Sequence, residues 1–452
     1  MTNEKRGSFT GKIGFVLAAA GSAVGLGNIW RFPYLAAKYG GGIFLLVYII
    51  LAVSFGFALM IGEIAIGRKT GLSAVGAFKA LDKRFSFIGY LGALIPAIIL
   101  PYYSVIGGWV LKYLVTFVSG DGANAANDTF FKSFIQGNAK PVVYFLIYLV
   151  FTAVVVFFGV EKGIEKVSKV MMPVLVVLSL IIAVYSVCMP GAMDGVIYYI
   201  KPDFSKFSIT TVVAALGQLF YSMSLAMGIM ITYGSYMKKD VSLESSVTQI
   251  EIFDTGIAFI AGLIFIPAVF VFSGGTPEAL GAGPSLMFIT LPKVFDTMVG
   301  GAFIGMVFFL LVLFAALTSS ISLMETVVSI ICDKLKLKRF LACIVVFGFS
   351  ALLGLISCFG YSIWKEFKII GMQMLDFFDF ATNSVMMPIT ALATCLFIGF
   401  VIGTKSITEE VEITGKFKRK ALFEVVIKYI APVCIVLILV SSILSALGII
   451  TI

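Results

Sequence analysis

Asp254 is a carboxylate in the middle of a long apolar segment, with Phe253 before it and Ile257 after it. No basic residue lies within one helical turn of it. An ionisable residue at such a depth is costly and indicates function by default. Because a buried carboxylate either stays protonated or takes a cation, Asp254 is a candidate ligand for an alkali ion or a proton.

A run of hydroxyl residues, Thr318, Ser319 and Ser320, follows Ala315 in another apolar segment. Hard cations prefer oxygen ligands, so adjacent hydroxyls with a backbone carbonyl suit a monovalent ion. Hydroxyls of this kind also bond back to their own helix, and that local role is the alternative.

Glu63 is interpreted as a structural carboxylate bonded to opened backbone of the first apolar segment.

The composition excludes several kinds of chemistry. The chain has no His, which excludes His-based triads, His-ligated metals and histidine proton relays. Its six Cys show no CxxC spacing, so neither a metal cluster nor a disulfide framework is indicated. No nucleophile–base pair is evident, which disfavours an intramembrane enzyme.

The apolar segments indicate a polytopic membrane protein. Hydrophobic residues make up 60% of the 452 residues and charged residues 13%, whereas a soluble domain carries about 25% charged residues. A membrane-spanning helix needs about 20 apolar residues. Eleven stretches qualify: 12–38, 42–66, 88–117, 141–158, 167–187, 210–236, 246–272, 301–331, 340–358, 377–403 and 425–450.

The Lys and Arg residues set the predicted orientation. With the N-terminus in the cytoplasm, most of the 33 basic residues fall in cytoplasmic connections, as the positive-inside rule requires. An odd number of spans then puts the C-terminus outside. The net charge of +9 is explained by these loops, so no nucleic-acid partner is expected.

Two spans carry helix-breaking sequence near mid-depth. The first has three glycines within 21–27, and the sixth has Ser-Met-Ser-Leu-Ala-Met-Gly at 222–228. Small residues also form packing faces between helices, which is the alternative for either segment alone. The two segments correspond if five spans form a unit that is repeated in inverted topology, and paired interruptions of this kind indicate a transport site at the midplane.

Three motifs carry a family resemblance. Residues 20–33, Ala-Gly-Ser-Ala-Val-Gly-Leu-Gly-Asn-Ile-Trp-Arg-Phe-Pro, followed by three glycines at 40–42, closely resemble the first-span signature of the neurotransmitter:sodium symporters. Residues 218–225 resemble the sixth span of that family and residues 317–320 its eighth. The similarity runs over essentially the whole chain and looks like the bacterial branch, which includes transporters of hydrophobic and aromatic amino acids.

The resemblance implies an all-α polytopic membrane protein with the leucine transporter-like fold. In this fold, two inverted five-helix repeats (5+5) have broken first and sixth spans, and one extra span follows. A single transmembrane domain would cover 1–452, and the expected location is the plasma (inner) membrane of a bacterium. The implied divisions are a first repeat at 10–209, an inverted repeat at 210–404, and a cytoplasmic loop with the eleventh span at 405–452.

By the same resemblance, two sodium ions would be co-transported. The first would bind the substrate carboxylate and oxygens of four residues: Ala23, Asn28, Ser222 and Asp254. The second would bind carbonyls and hydroxyls of five residues: Gly21, Val24, Ala315, Thr318 and Ser319.

The resemblance also implies a substrate pocket and two gates. The pocket wall is mostly apolar and lacks a counter-charge, so the expected guest is a hydrophobic or aromatic L-amino acid. The pocket residues are Ser22, Ala23, Gly25, Leu26, Gly27, Ile99, Tyr103, Tyr221, Ser222, Ser224, Ala226, Met227, Ser319 and Leu323. The gate residues are Arg31 and Asp379 on the outer side, and Arg6, Asp333, Ser235 and Tyr236 on the cytoplasmic side.

The implied function is sodium-coupled amino-acid import by alternating access. Asp254 supplies a negative charge where many members use an amide and a separate anion, so independence from chloride is expected. Ala226 replaces a glycine found in many members, which would narrow the pocket. A proton-coupled amino-acid transporter using Asp254 or Glu63 is the alternative, while a channel, a receptor or a scaffold is disfavoured. The sequence leaves the oligomeric state open.

Overall fold

The structure is a computed structural model that describes residues 7–273 and 285–446. Within those residues the chain is helical, and its extended contacts are two isolated antiparallel bridges, Gly41 with Pro202 and Ile369 with Met372. The predicted spans correspond to these helices: Lys12–Ala23 with Gly27–Lys38, Gly42–Thr70, Lys83–Val118, Lys140–Phe157, Val160–Val187, Ile209–Ser222 with Ile229–Gly234, Leu243–Ser273, Gly301–Leu335, Arg339–Phe359, Met374–Val401 and Lys420–Ser445.

Nine of these helices within the described ranges are long and apolar enough to cross a membrane, and the bent first pair makes a tenth. The sixth predicted span does not pass this criterion, because its apolar helix Ile209–Ser222 has only 14 residues before the break. Below, the spans keep their predicted numbers, from first to eleventh.

The first span breaks where its glycines are concentrated. Its first helix ends at Ala23, Val24 adopts extended backbone with φ −74° and ψ 105°, and the second helix begins at Gly27. The two helices differ in direction by 54°. Because glycine weakens a helix, the sequence itself favours an interruption at this depth.

The sixth span breaks between Ser222 and Ile229, in agreement with the prediction for 222–228. Three residues in the break have left-handed backbone: Ser224 at φ 53°, Ala226 at φ 61° and Gly228 at φ 71°. Only glycine adopts this region without steric cost. The conformations of Ser224 and Ala226 therefore have to be stabilised by the surrounding structure.

The broken spans lie at the centre of the helix assembly. The first helix of the first span packs against the fifth, seventh and eighth spans, and the eighth span packs along the third. Outer faces of the fifth and ninth spans expose apolar side chains such as Val177, Ile181 and Leu352. This arrangement suits helices that face hydrocarbon while unwound backbone is enclosed by protein.

Shorter helices connect the spans. Within the described residues they are Ala74–Leu81, Gly122–Ala125, Asp128–Ile135, Met193–Ile200, Phe204–Lys206, Leu286–Thr290 with Leu291–Thr297, and Thr404–Glu412. The last is held by Arg68, whose buried guanidinium bonds to Glu410 (Nε to Oε1, 2.7 Å) and to the Val241 carbonyl (2.8 Å). Arg68 thus joins the second span to the connections that follow the sixth and tenth spans.

Candidate functional site

A small cavity of about 40 Å³ lies between the two helix breaks. It is lined by residues of the first, third, sixth, eighth and tenth spans: Ser22, Ala23, Gly25, Leu26, Gly27, Ile99, Tyr103, Tyr221, Ser224, Met227, Ile229, Ser319, Leu323 and Asn383. All of the residues predicted for the substrate pocket belong to this lining except Ser222 and Ala226. Ile229 and Asn383 are lining residues that the sequence analysis missed.

Glycines let the first span approach the cavity wall closely. A Cβ on Gly27 would lie 2.4 Å from Cδ1 of Tyr221, and a Cβ on Gly25 would lie 2.6 Å from Oγ of Ser319. Both distances are shorter than a side chain tolerates. The glycines therefore allow the backbone of the break to pack directly against the aromatic and hydroxyl residues of the cavity.

A buried polar cluster surrounds Asp254. Its Oδ1 accepts hydrogen bonds from Ser222 Oγ at 2.6 Å and Asn28 Nδ2 at 2.8 Å, and its Oδ2 accepts one from Tyr48 at 3.2 Å. Asn28 Oδ1 accepts from the amide of Gly25 at 3.1 Å. Asp254, Asn28 and Ser222 are at most 1% exposed. Three of the four residues predicted for the first sodium site therefore form one hydrogen-bonded group, and Ala23 lines the adjoining cavity.

A second oxygen cluster surrounds the hydroxyl of Ser319. Its Oγ lies 3.5 Å from the Gly21 carbonyl, 3.3 Å from that of Val24 and 3.2 Å from that of Ala315. The Thr318 hydroxyl bonds to the Ala315 carbonyl at 3.1 Å. The structure thus brings together all five residues predicted for the second sodium site.

The run of hydroxyls on the eighth span has two different roles. Thr318 and Ser320 each bond back to their own helix, Thr318 to Phe314 and Ala315 and Ser320 to Leu317. Ser319 also reaches across to carbonyls of the first span. The local alternative from the sequence therefore describes Thr318. Ser320 also contacts Tyr148 and Thr152 of the fourth span, and Ser319 joins the eighth span to the broken first span.

Gln218 is a further residue at the breaks whose role the sequence analysis did not identify. Its Nε2 donates to the carbonyl of Gly27 at 2.9 Å, and its Oε1 is buried without a hydrogen-bond partner among the described residues. Gln218 belongs to the motif that carried the family resemblance. The motif could have marked Gln218 as a candidate functional residue, but it does not predict that the side-chain amide binds the Gly27 carbonyl.

Glu63 bonds to a different helix break from the one expected. Its Oε1 accepts a hydrogen bond of 2.7 Å from the amide of Ala226 in the sixth span, and Oε2 has no partner among the described residues. The expectation that Glu63 would bond to opened backbone of the first span is therefore wrong. The carboxylate helps to stabilise the left-handed backbone of Ala226, whose amide points away from the cavity.

The residues predicted for the outer gate, Arg31 and Asp379, lie close together without a direct ion pair in the described part of the chain. The guanidinium of Arg31 lies over the ring of Tyr221, 5.1 Å from its centroid. Asp379 Oδ1 instead accepts from Asn383 Nδ2 at 2.7 Å and from Tyr102 at 3.2 Å. Arg31 and Asp379 remain within electrostatic reach of each other, above the cavity wall formed by Tyr221.

The residues predicted for the cytoplasmic gate are held by separate contacts. Asp333 accepts a hydrogen bond from the amide of Ser73 at 2.9 Å, and Ser235 bonds to the Thr232 carbonyl. The Tyr236 carbonyl accepts from the amide of Phe9 at 3.1 Å. Arg6, the predicted partner of Asp333, lies outside the described residues.

Tyr236 also belongs to a charged cluster. Its hydroxyl donates to Oε1 of Glu325 at 2.7 Å, and Glu325 forms an ion pair with Arg339 at the start of the ninth span. Arg339 donates in addition to the carbonyl of Val156 at 3.0 Å. Glu325 therefore connects the sixth, eighth, ninth and fourth spans.

Comparison with known proteins identifies the same family over nearly the whole chain. The model of the Sodium:neurotransmitter symporter family matches residues 6–133 and 132–449. The uncharacterized sodium-dependent transporter YhdH of Bacillus subtilis is 34% identical over 455 residues, covering 98% of this chain and 99% of YhdH. An uncharacterized sodium-dependent transporter of Haemophilus influenzae is 33% identical, covering 97% of this chain and 99% of its own length.

A solved structure gives the same result for the fold. MhsT, crystallised in complex with L-phenylalanine, superposes with a TM-score of 0.87 at 36% sequence identity, covering 97% of this chain and 100% of the MhsT chain. The predicted fold class, including the broken first and sixth spans, is confirmed. The chain belongs to the Sodium:neurotransmitter symporter family, whose members are sodium-coupled membrane transporters and not enzymes.

Proposed function

We propose that this protein imports hydrophobic or aromatic L-amino acids together with two sodium ions, by alternating access and without a need for chloride. One observation carries the proposal: the breaks in the first and sixth spans meet at a cavity that adjoins two clusters of oxygen atoms. Such a site can hold a zwitterion and alkali ions together, because opened helices offer both amides and carbonyls.

The carboxylate of the substrate would bind at the start of the second helix of the first span. The amide of Leu26 lies there, 3.4 Å from the hydroxyl of Tyr103, and Gly27 follows it. A helix N-terminus favours negative charge. The ammonium group would be bound by carbonyls at the breaks, on Ala23, Tyr221, Ser222 and Ser224.

The first sodium ion would bind next to that carboxylate, among Ala23, Asn28, Ser222 and Asp254. The residues fit, since they supply carboxylate, amide, hydroxyl and carbonyl oxygens in a buried place. Among the described residues, the side chains that bond to the Asp254 carboxylate are the neutral ones of Ser222, Asn28 and Tyr48. Because the substrate carboxylate would complete this site, sodium and amino acid should each increase the affinity for the other by the same factor.

The second sodium ion would bind among Gly21, Val24, Ala315, Thr318 and Ser319. The close approach of Ser319 Oγ to three carbonyls supports this assignment. The site would join the first span to the eighth, so its occupation would favour the conformation in which these spans stay together. Loss of this ion would release the cytoplasmic half of the first span, which is a shift between states by differential binding.

The nature of the cavity wall supports an apolar or aromatic substrate. The lining includes Ile99, Tyr103, Tyr221, Met227 and Leu323, and it has no charged side chain among the described residues. A charged substrate side chain would therefore meet no counter-charge there. The presence of L-phenylalanine in MhsT, at 36% identity, supports the same substrate class.

Access would alternate between two gates. Arg31 and Asp379 would close the outer path, and Arg6 and Asp333, with Ser235 and Tyr236, the cytoplasmic path. We further propose that the two inverted repeats extend over 10–209 and 210–404, with the loop and eleventh span at 405–452. The location would be a bacterial plasma membrane, with the N-terminus in the cytoplasm.

Proton coupling is the second candidate, and Glu63 gives it specific support. Its Oε2 is buried and unpartnered among the described residues, as expected for a carboxyl that carries a proton. Asp254, in contrast, has three hydrogen-bond donors around it. Sodium coupling and proton coupling make different predictions for the effect of replacing sodium.

The test is binding and uptake of the twenty amino acids by the purified protein, in proteoliposomes with sodium or with an impermeant organic cation outside. We expect sodium-dependent, saturable accumulation of apolar and aromatic amino acids, with unchanged uptake when chloride is replaced by gluconate. Uptake that ignores sodium but follows an inward pH gradient would establish the proton-coupled alternative. Flux without saturation would indicate a channel.

A further inference from the structure

One polar atom in the lining of the substrate cavity has no hydrogen-bond partner. This is Oδ1 of Asn383, in the tenth span, which is buried with under 1 Å² accessible and unpaired among the described residues. A buried acceptor without a partner lowers stability. An atom of this kind in a binding cavity is therefore a candidate for contact with the ligand.

The orientation of the Asn383 amide follows from its donors. Its Nδ2 donates to Oδ1 of Asp379 at 2.7 Å and to the hydroxyl of Tyr102 at 3.2 Å. These two bonds use both hydrogens of the amide. If the amide were turned over, Oδ1 would face the carboxylate of Asp379, and two acceptors would repel each other. Oδ1 is therefore the atom that stays unpaired.

The serine hydroxyls of the lining already have partners. Ser22 donates to Ser322 at 2.7 Å, Ser224 donates to the Ser22 carbonyl at 2.8 Å, and Ser319 lies against backbone carbonyls. Their hydroxyl hydrogens are used within the protein. Asn383 differs from these serines because its Oδ1 has no partner among the described residues and is therefore available to a ligand in the cavity.

The position of Asn383 indicates which part of a substrate it meets. It lies beside Tyr102 and Asp379, on the side of the outer gate, whereas the proposed carboxylate and sodium sites lie at the opened helix ends near Leu26 and Asn28. The lining also contains the apolar and aromatic side chains of Ile99, Tyr221 and Leu323. A substrate held by its carboxylate at the helix ends would extend its side chain along this wall toward Asn383.

We infer that Asn383 determines specificity by accepting a hydrogen bond from the distal end of the substrate side chain, and so favours an aromatic amino acid that carries a donor there. The two natural sources of this chemistry are the phenol of tyrosine and the indole N–H of tryptophan. The inference rests on the proposed amino-acid transport, and it names a preference within the aromatic class.

The first experiment uses the unmutated full-length protein and needs no substitution. Sodium-dependent binding is compared within two pairs that differ in the donor: tyrosine with phenylalanine, and tryptophan with 3-benzothienylalanine, in which sulfur replaces the indole N–H. In at least one pair the donor-bearing member should bind about fivefold or more tightly, the effect of one net hydrogen bond. The pair that shows the difference identifies the source of the donor.

The second experiment assigns the preference to Asn383. In Asn383→Leu the ratio within that pair should fall to about twofold or less, while phenylalanine still requires sodium to bind. If Asn383→Leu does not bind phenylalanine, Asn383→Ala is measured in its place. Tyr102→Phe is the matched control, because it removes hydrogen bonds of the same cluster but leaves Oδ1 of Asn383 intact. It should change both members of a pair by the same factor.

The outcomes separate the inference from the proposed function. Equal binding within both pairs in the unmutated protein, or an unchanged ratio in the Asn383 variants, would overturn the role of Asn383 even though phenylalanine binds with sodium. If no amino acid binds in a sodium-dependent manner, the proposed function itself is wrong, and the role of Asn383 falls with it.

Discussion

The amide of Ala226 donates a hydrogen bond of 2.7 Å to Oε1 of Glu63, although the two residues are 163 positions apart. Ala226 has φ 61°, a conformation that is uncommon for a residue with a Cβ. Glu63 provides the partner that the amide lost when the sixth helix opened. The second span therefore stabilises the break on which the cavity depends.

Glu63→Leu should weaken substrate binding by about tenfold or more. The substitution leaves the buried N–H of Ala226 without a partner, which costs about 1 to 3 kcal/mol. This cost destabilises the broken conformation of the sixth span, on which the cavity depends. The measurement is the sodium-dependent affinity of the purified variant for its amino acid, together with its thermal unfolding.

Glu63→Gln is the matched control, because the amide oxygen of glutamine can accept the same hydrogen bond. It should keep most of the affinity lost in Glu63→Leu. The same variant tests proton coupling, since glutamine does not titrate. Loss of transport in Glu63→Gln with substrate binding intact would favour a proton-carrying role and contradict a purely structural one.

Asp254→Asn should make transport depend on chloride or abolish it. The proposed first sodium site contains one protein carboxylate, so the substitution removes the negative charge that would balance the ion. Uptake is measured with chloride and with gluconate on the outside, before and after the substitution. Full activity of Asp254→Asn in gluconate would show that the charge of this residue is not needed.

Gly27→Ala should reduce substrate binding by about tenfold or more. The new Cβ would lie 2.4 Å from the ring of Tyr221, so the ring or the opened backbone has to move, and such overpacking costs about 1 to 3 kcal/mol. Gly217→Ala in the sixth span is the control, because nothing lies within 4 Å of its added Cβ. Equal effects of the two substitutions would argue against close packing at the break.

Ser319→Ala should raise the sodium concentration needed for half-maximal uptake by about five- to tenfold, since it removes a proposed ligand worth about 1 kcal/mol or more. Its neighbour Ser320 is the control. The Ser320 hydroxyl contacts Tyr148 at 3.1 Å and Thr152 at 2.8 Å on the fourth span. Ser320→Ala should therefore lower thermal stability but leave the sodium requirement unchanged. A shift of similar size in both variants would contradict the assignment.

The sequence was informative where a local signal and the family motif agreed. Three glycines predicted the break in the first span, and the structure has it between Ala23 and Gly27. The short polar run at 222–228 likewise predicted the break in the sixth span, because weak helix formers and small polar residues have their effect within a few positions.

Contacts between distant spans were harder to predict. Glu63 was expected at the first break but bonds to Ala226 of the sixth, since the partner of a buried carboxylate depends on how two remote helices pack. Asp379 was expected to pair with Arg31, but Tyr102 and Asn383 provide nearer donors. Asn383 was missed because a single amide in an apolar helix has no periodic pattern that distinguishes it.

The contacts of Glu325 bear on the energy of opening toward the cytoplasm. Tyr236 donates to it from the mobile side of the proposed gate, whereas Arg339 holds it from the ninth span and also bonds to Val156. A movement that withdraws the sixth span would remove only a neutral phenol from the carboxylate. Stranding a buried charge costs about 3 to 5 kcal/mol, and Arg339, by staying with Glu325, would keep that cost out of the proposed transport cycle.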